Sequence, residues 1–277
     1  MTYLAIDSDA RRMTVDEIES LADGEIPEDS PLRIDVDLGF TIVPLLVVKR
    51  RHDRLVILNN GSVDLGRSGR VPVFQRSSWW SEISAHQIYV CDPGTVGDDA
   101  TALNWLQSRG PTWIVRDLMK ALLALSRVLG VTRPERRLYY GSSAGGFAAL
   151  LELAYDRRAR AVVNNPQINW TRWYAHQVSP VLQSHFPRLD AKTVRERFPQ
   201  RASCLHSFTK MGGAANVDYW VNMASQHDRE VQLPIVLKTL RDSPEICRTF
   251  SIHMYYDEQQ GHSPLSKQKT LELLESH

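Results

Sequence analysis

Hydrophobic and polar positions follow two patterns along the chain, one typical of strands and one typical of helices. Short runs rich in Val, Ile and Leu predict buried strands at 54–60, 86–92, 136–140, 159–166, 217–224 and 248–256. Apolar side chains recur at three- and four-residue steps over 112–130, which predicts a helix that ends at Gly130. Further helices are predicted at 144–156, at 229–242 and from Ser266. This alternation is typical of β-α-β units, so we predict an α/β fold, with a mostly parallel central sheet flanked by helices.

The beginning of the chain has a different pattern. Residues 1–30 are polar and acidic, which predicts an N-terminal arm, either loose or with a short helix around "TVDEIESLA". The run 32–38 alternates in the manner of a half-buried strand, and 41–49 is apolar throughout. Pro44 interrupts that second run, so we expect it to weaken the strand or to place it at a sheet edge.

Residues 167–215 break the alternation. They contain aromatic residues, prolines and some helical pattern but no clear strand. We therefore predict a single α/β domain over 1–277, with 167–215 forming an inserted cap segment over one end of the sheet.

Composition narrows the classes of partner. The chain has 277 residues with a formal net charge of +1, which gives no reason to expect nucleic acid or an anionic membrane surface. Cys91, Cys204 and Cys247 are far apart, which argues against a disulfide framework and a cysteine zinc site. The polar start and the lack of a long apolar run predict a cytoplasmic protein without a membrane span. No metal or cofactor is expected.

The stretch "RRLYYGSSAGGFAALLEL" (136–153) passes from a predicted strand into a predicted helix. Gly141 and Gly145 stand two residues before and two residues after Ser143. A sharp turn between strand and helix strains the residue at its tip and leaves room only for small neighbours. It also places the Ser143 hydroxyl at a helix N-terminus, whose unpaired N–H groups favour an oxyanion. The alternatives are a glycine-rich packing turn or a phosphate loop, although the usual phosphate-loop patterns are absent.

This strand, turn and helix resemble the nucleophile elbow of the α/β-hydrolase superfamily. The resemblance covers roughly residues 50–270, by the order of elements more than by sequence. It implies catalysis through an acyl-enzyme on Ser143, with an acid and then a histidine on loops after later strands. We expect a carboxylic ester or thioester as substrate.

The resemblance also implies the partners of the serine. His262 lies on a loop after the last predicted strand, where the superfamily carries its base. Asp228 lies just beyond the predicted strand 217–224, which precedes the last strand, and it is the expected acid. Asp257 is the alternative. His253, in the middle of the last strand, is expected to pack in the core.

Two backbone amides are expected to bind the oxyanion. By resemblance, one belongs to Ala144, which follows the nucleophile, and the other to the loop after an early strand. The sequence "LVILNNGSVDLG" supplies this loop. We choose the amide of Ser62, with Gly61 and Val63 as alternatives; an ordinary Asn-Gly turn is the other interpretation.

The expected substrate is a small-molecule or glycan-linked acyl compound. Trp170, Trp173 and Tyr174 begin the insertion and are expected to line the pocket, or else to pack the insertion on the sheet. An acyltransferase with the same residues and a non-catalytic binding protein of this fold remain as alternative functions. The sequence does not indicate the oligomeric state.

Overall fold

The computed structural model describes residues 10–22, 24–110, 112–212 and 214–276. Within these residues, nine strands form one sheet in the order β1-β2-β3-β5-β4-β6-β7-β8-β9. The strands are β1 (Arg11–Met13), β2 (Pro31–Asp37), β3 (Ile42–Val48), β4 (Leu55–Asn59), β5 (His86–Val90), β6 (Arg137–Ser142), β7 (Arg160–Asn164), β8 (Ala215–Asn222) and β9 (Cys247–Tyr255). Strand β3 is antiparallel to both of its neighbours, and the other pairs are parallel.

Helices cover both faces of the sheet. They are α1 (Val15–Glu19), α2 (Leu65–Ser68), α3 (Ile114–Val128), α4 (Ala144–Tyr155), α5 (Ala175–His185), α6 (Ala191–Arg197), α7 (Pro199–Ala202), α8 (Cys204–Met211), α9 (Leu233–Asp242) and α10 (Lys267–Ser276). Apolar residues of α3, α4 and α8 share one buried cluster with the sheet, and those of α10 share a second. The architecture confirms the predicted α/β fold.

The central parallel strands β4, β6, β7, β8 and β9 lie side by side. Parallel strands bring their carboxyl ends to the same edge of a sheet, where ligands of open α/β sheets bind. The segments that follow these strands therefore meet at this edge. They contain Ser62, Ser143, Gln167, Asp228 and His262.

One of the two expectations for Pro44, a strand at the edge of the sheet, was wrong. Strand β3 lies inside the sheet, between β2 and β5. The register with β5 begins at Leu45, so Pro44 lies at the end of that pairing, where its missing N–H removes only one terminal hydrogen bond. The Pro44 carbonyl still accepts a hydrogen bond from the Cys91 amide at 3.1 Å. A proline is thus tolerated inside β3 because it is terminal in the pairing with β5, although it lies within the register with β2.

The first described residues contain a strand and a short helix. Strand β1 pairs in parallel with β2 at the edge of the sheet. Thr14 and Glu17 form a reciprocal capping box at the start of α1, and Ile18 of this helix is fully buried. The predicted arm over 1–30 thus contains the short helix, while residues 1–9 lie outside the described residues.

Between β7 and β8 the chain forms α5, α6, α7 and α8 and a 3-10 turn at Trp170–Arg172. This is the segment 167–215 that was predicted as an inserted cap. It begins directly at the carboxyl end of β7, next to the edge where the site residues meet.

Candidate active site

Ser143 occupies the turn between β6 and α4. Its backbone has φ +56° and ψ −125°, a strained conformation for a residue with a side chain. A Cβ at Gly141 would lie 2.1 Å from the carbonyl oxygen of Gly145. A Cβ at Gly145 would lie 2.5 Å from the carbonyl oxygen of Asn59 in β4. Only glycine fits at either position, and the turn holds Ser143 at the carboxyl edge of the sheet.

A hydrogen-bonded chain joins Ser143, His262 and Asp228. His262 Nε2 lies 2.9 Å from Ser143 Oγ, and His262 Nδ1 lies 2.6 Å from Asp228 Oδ2. An ionised carboxylate only accepts hydrogen bonds, so the imidazole proton belongs on Nδ1. Nε2 then accepts the hydrogen bond from the serine hydroxyl. The three residues proposed from sequence as nucleophile, base and acid are together in the order that proton transfer requires.

Asp228 is fully buried at the start of a π-helical turn, Asp228–Gln232. Its second oxygen, Oδ1, has no hydrogen-bond partner among the described residues. The alternative acid is engaged elsewhere, because Asp257 Oδ1 accepts a hydrogen bond from the Gln260 amide at 3.0 Å within its own loop. The carboxylate in contact with His262 is therefore that of Asp228.

Two asparagines hold the loop that carries His262. Asn222 Nδ2 donates to the carbonyls of Asp257 and Gly261 at 2.7 and 2.8 Å. Asn165 Oδ1 accepts from the Asn222 amide at 2.8 Å, and its Nδ2 donates to the His262 carbonyl at 3.4 Å. Neither asparagine was predicted from the sequence as part of the site. The available signal was an asparagine at the carboxyl end of each of two predicted neighbouring strands.

Gln167 also contacts the serine and was missed. Its side chain is fully buried, and its Nε2 donates to Ser143 Oγ at 2.9 Å. Its backbone amide donates to the Ser143 carbonyl at 3.1 Å. Its Oε1 accepts a hydrogen bond from the indole N–H of Trp105. The serine oxygen thus has a donor on one side and the imidazole acceptor on the other.

The loop after β4 lies beside Ser143, since a Cβ at Gly61 would be 3.8 Å from Ser143 Cβ. The Gly61 amide donates to Gln75 Oε1 and the Val63 amide donates to the Ala102 carbonyl, both at 2.9 Å. Within the described part of the chain, the Ser62 amide has no such partner. Of the three amides considered from sequence, only that of Ser62 is available to a ligand.

The amide of Ala144 stands at the first position of α4. The first N–H groups of a helix have no partner within the helix, so this amide is directed out of the N-terminus that carries Ser143. Ala144 and the loop of Ser62 thus flank the serine from two different elements.

One of the three predicted aromatic residues contacts His262, and a second packs against the first. The ring of Trp173 is 4.6 Å from that of His262, and Tyr174 packs against Trp173 at 4.7 Å. Tyr174 is 48% exposed. His227 packs on both aromatic rings, and burial lowers its pKa. Trp173 and Tyr174 therefore form an aromatic wall beside the imidazole.

Trp170 does not belong to this wall. Its indole is fully buried, stacks on Trp105 with centroids 5.2 Å apart, and donates to the Arg201 carbonyl. It packs the insertion on the core, which was the other expectation for this residue. His253 also differs from expectation: it is partly exposed, and its Nε2 lies 2.9 Å from Asp218 Oδ1.

Among the side chains that the structure describes, no group of three or more His, Cys, Asp or Glu residues is arranged to hold a metal ion. Cys91 and Cys204 are buried free thiols, and Cys247 is an exposed one. None of the helices in the described ranges has both the length and the apolar character needed to cross a membrane.

No protein-family model matches the sequence. No curated protein matches it either. Several solved structures nevertheless share its three-dimensional form over nearly the whole chain. The capsule O-acetyltransferase of Neisseria meningitidis serogroup A has a TM-score of 0.62 at 11% identity, over 92% of this chain and 96% of that chain.

Two hydrolases give similar results. The S-formylglutathione hydrolase from Agrobacterium tumefaciens has a TM-score of 0.58 at 12% identity, over 89% of this chain and 91% of that one. A hormone-sensitive lipase from a metagenome library has a TM-score of 0.54 at 13% identity, over 98% and 91%. These proteins are of the α/β-hydrolase type, and the likeness establishes that fold for this chain.

Proposed function

We propose that this chain of α/β-hydrolase fold is a serine hydrolase, which cleaves a carboxylic ester or thioester through an acyl-enzyme on Ser143. The observation that carries the proposal is the Ser143–His262–Asp228 chain, with contacts of 2.9 and 2.6 Å. A serine hydroxyl attacks a carbonyl at a useful rate only when a base removes its proton, and this chain provides the base together with its orienting acid.

Each step balances. Ser143 Oγ attacks the carbonyl carbon while its proton passes to His262 Nε2. The amides of Ala144 and Ser62 bind the oxyanion of the tetrahedral intermediate. The imidazolium, stabilised by Asp228, then returns the proton to the leaving alcohol or thiol. Water attacks the acyl-enzyme with His262 as base again, which releases the carboxylic acid and restores the serine.

The second candidate function is acyl transfer. It is favoured by the likeness to a capsule O-acetyltransferase, and it uses the same acyl-enzyme with a hydroxyl or amine in place of water. The aromatic wall of Trp173 and Tyr174 suits either an acyl chain or the face of a sugar ring. The proposed substrate is thus a small-molecule or glycan-linked acyl compound. Adding candidate acceptors distinguishes the two reactions, since transfer diverts product from free acid to conjugate.

The proposed function is tested by labelling with a fluorophosphonate followed by intact mass measurement. The wild type is expected to gain one probe adduct and Ser143→Ala none. Ser142→Ala is the matched control, because this neighbouring hydroxyl is buried and accepts a hydrogen bond from Arg76 Nη2 at 2.7 Å. It is expected to label like the wild type. An unlabelled wild type would instead favour a non-catalytic binding protein.

A further inference from the structure

We infer that Gln167 is a catalytic residue, whose side-chain N–H stabilises the negative charge that develops on Ser143 Oγ as the proton leaves for His262. This inference rests on the proposed function. It assigns a second donor site in addition to the oxyanion amides, directed at the nucleophile oxygen itself. Its geometric basis is the 2.9 Å contact from Gln167 Nε2 to Ser143 Oγ.

The orientation of the Gln167 amide follows from its other neighbour. Trp105 Nε1 carries a hydrogen and can only donate, so the atom of Gln167 that faces it must be the acceptor Oε1. Nε2 then faces Ser143. The opposite orientation would place two donors against each other at Trp105 inside a fully buried site. The tryptophan therefore acts as a positioning residue that keeps the donor on the serine.

Trp105 is itself held by a strained turn. Trp105 and Leu106 have φ of +53° and +52°, although neither is glycine. Asp92 fixes this turn: its Oδ2 accepts from the Leu106 amide at 2.7 Å and its Oδ1 accepts from Asn104 Nδ2 at 2.8 Å. Gln107 Nε2 donates to the Trp105 carbonyl at 2.9 Å. Backbone strain of this kind persists only where the surroundings impose it, and it occurs preferentially at functional sites.

The chemistry favours the transition state over the resting state. At rest, Ser143 Oγ donates to His262 and accepts a neutral hydrogen bond from Gln167. As the proton passes to the imidazole, partial negative charge develops on the oxygen, and the same N–H bond gains charge-assisted character and becomes stronger. An interaction that strengthens in the transition state lowers the barrier. The benefit recurs in deacylation, when Oγ departs from the acyl group. Gln167 itself neither gains nor loses a proton.

The test measures the second-order rate of fluorophosphonate labelling, which reports the nucleophilicity of the serine. Gln167→Met removes the donor at similar side-chain length and is expected to slow labelling about 10- to 100-fold. Gln87→Met is the matched control: it removes a buried amide on β5 that donates to the carbonyls of Ile83 and Ala85 and does not contact Ser143. Its folded fraction is expected to label at the wild-type rate.

Gln167→Glu gives a readout that a merely structural role would not produce. Burial raises the pKa of a carboxyl group. The protonated form of Glu at position 167 donates to Ser143 Oγ, whereas the ionised form only accepts hydrogen bonds and competes with His262 for the serine proton. The labelling rate of Gln167→Glu relative to wild type should therefore rise as the pH falls. His262 and Asp228 lie beyond Ser143, and Asp92 and His185 contact the turn of Trp105; these titratable groups are present in both proteins.

The possible outcomes distinguish the proposed serine-hydrolase function from the role of Gln167. A wild type that does not label refutes the proposed function, and this inference with it. A wild type that labels, together with folded Gln167→Met that labels equally fast, refutes only the role of Gln167. A ratio for Gln167→Glu that does not change with pH also counts against it. If Gln167→Met fails to fold, the isosteric glutamate variant decides the question.

Discussion

Asp228 Oδ2 lies 2.6 Å from His262 Nδ1, although 34 residues separate the two along the chain. The carboxylate is fully buried, and its other oxygen has no hydrogen-bond partner in the described ranges. Removing the only hydrogen-bond partner of a buried carboxylate is strongly destabilising, so the stability of the fold depends on the imidazole of His262. The proposed reaction in turn depends on the carboxylate, which selects the tautomer of His262.

The first prediction concerns this carboxylate. Asp228→Asn is expected to lower kcat on an activated ester about 10⁴-fold while the fold is retained, because an amide N–H facing Nδ1 favours the wrong imidazole tautomer. Asp257→Asn is the matched control and should keep near wild-type activity, since an asparagine oxygen still accepts from the Gln260 amide. Loss of activity in Asp257→Asn with retention in Asp228→Asn would reassign the acid.

The second prediction concerns the support of the His262 loop. Asn222→Ala removes the hydrogen bonds to the Asp257 and Gly261 carbonyls and should lower the free energy of unfolding by about 2–4 kcal/mol. It should also slow fluorophosphonate labelling of the folded protein, because His262 loses its fixed position. Asn216→Ala, on the same strand, serves as control and is expected to change stability by less than about 0.5 kcal/mol. Equal labelling rates for Asn222→Ala and wild type would show that the His262 loop keeps its position without these hydrogen bonds.

The features that were predictable from sequence depend on local sterics and on the order of elements. Gly141 and Gly145 follow from the steric needs of a sharp strand-to-helix turn, and His262 lies on the loop after the last strand. Gln167 and Asn222 were not predictable in this way. Their roles depend on which backbone and side-chain groups face them from distant segments.

The aromatic residues illustrate the same limit. Trp170 and Trp173 are three residues apart, yet one is sealed in the core and the other contacts His262. A 3-10 turn at Trp170–Arg172 separates them, and no periodicity in the sequence indicates which side of a single turn faces the sheet. The residue type and the spacing therefore could not show that Trp170 packs in the core and Trp173 contacts the site.

The third prediction follows from the turn at Ser143. Gly141→Ala would place a Cβ 2.1 Å from a backbone oxygen, and the clash can be relieved only by moving β6 or α4. We expect loss of more than about 4 kcal/mol of stability, measured by chemical unfolding. Gly66→Ala is the control, because its added Cβ meets Asp64 Oδ1 at an ordinary 3.4 Å. A stable Gly141→Ala protein would mean that the turn is far more yielding than its contacts indicate.

The fourth prediction separates the aromatic wall from the core. Tyr174→Ala should raise KM for an aryl or long-chain ester about tenfold with little change in kcat, because the lost contact serves ground state and transition state alike. Its thermal stability should change little, given its exposure. Trp170→Ala should behave in the opposite way, with about 3–5 kcal/mol of stability lost to a cavity. The wall assignment fails if Tyr174→Ala leaves KM unchanged for every ester chain tested.

The fifth prediction concerns Glu152, which is fully buried in α4 and contacts Asn59 of β4. Its Oε2 accepts from Asn59 Nδ2 at 2.7 Å, and its Oε1 has no partner among the described residues. Burial raises the pKa of this carboxyl from its ordinary 4.5 to about 8. Between these values the folded protein holds a proton that the unfolded chain has released, so stability falls as the pH rises through this window.

Glu152→Gln, which imitates the protonated carboxyl, should remove this loss of stability with rising pH. Its stability relative to wild type should increase by about 2–4 kcal/mol between roughly pH 5 and pH 8, measured by chemical unfolding at each pH. Glu245→Gln, at an exposed position, is the control and should show no such trend. A difference between Glu152→Gln and wild type that stays constant with pH would mean that Glu152 is already ionised in the folded protein, with its unpartnered oxygen satisfied by water.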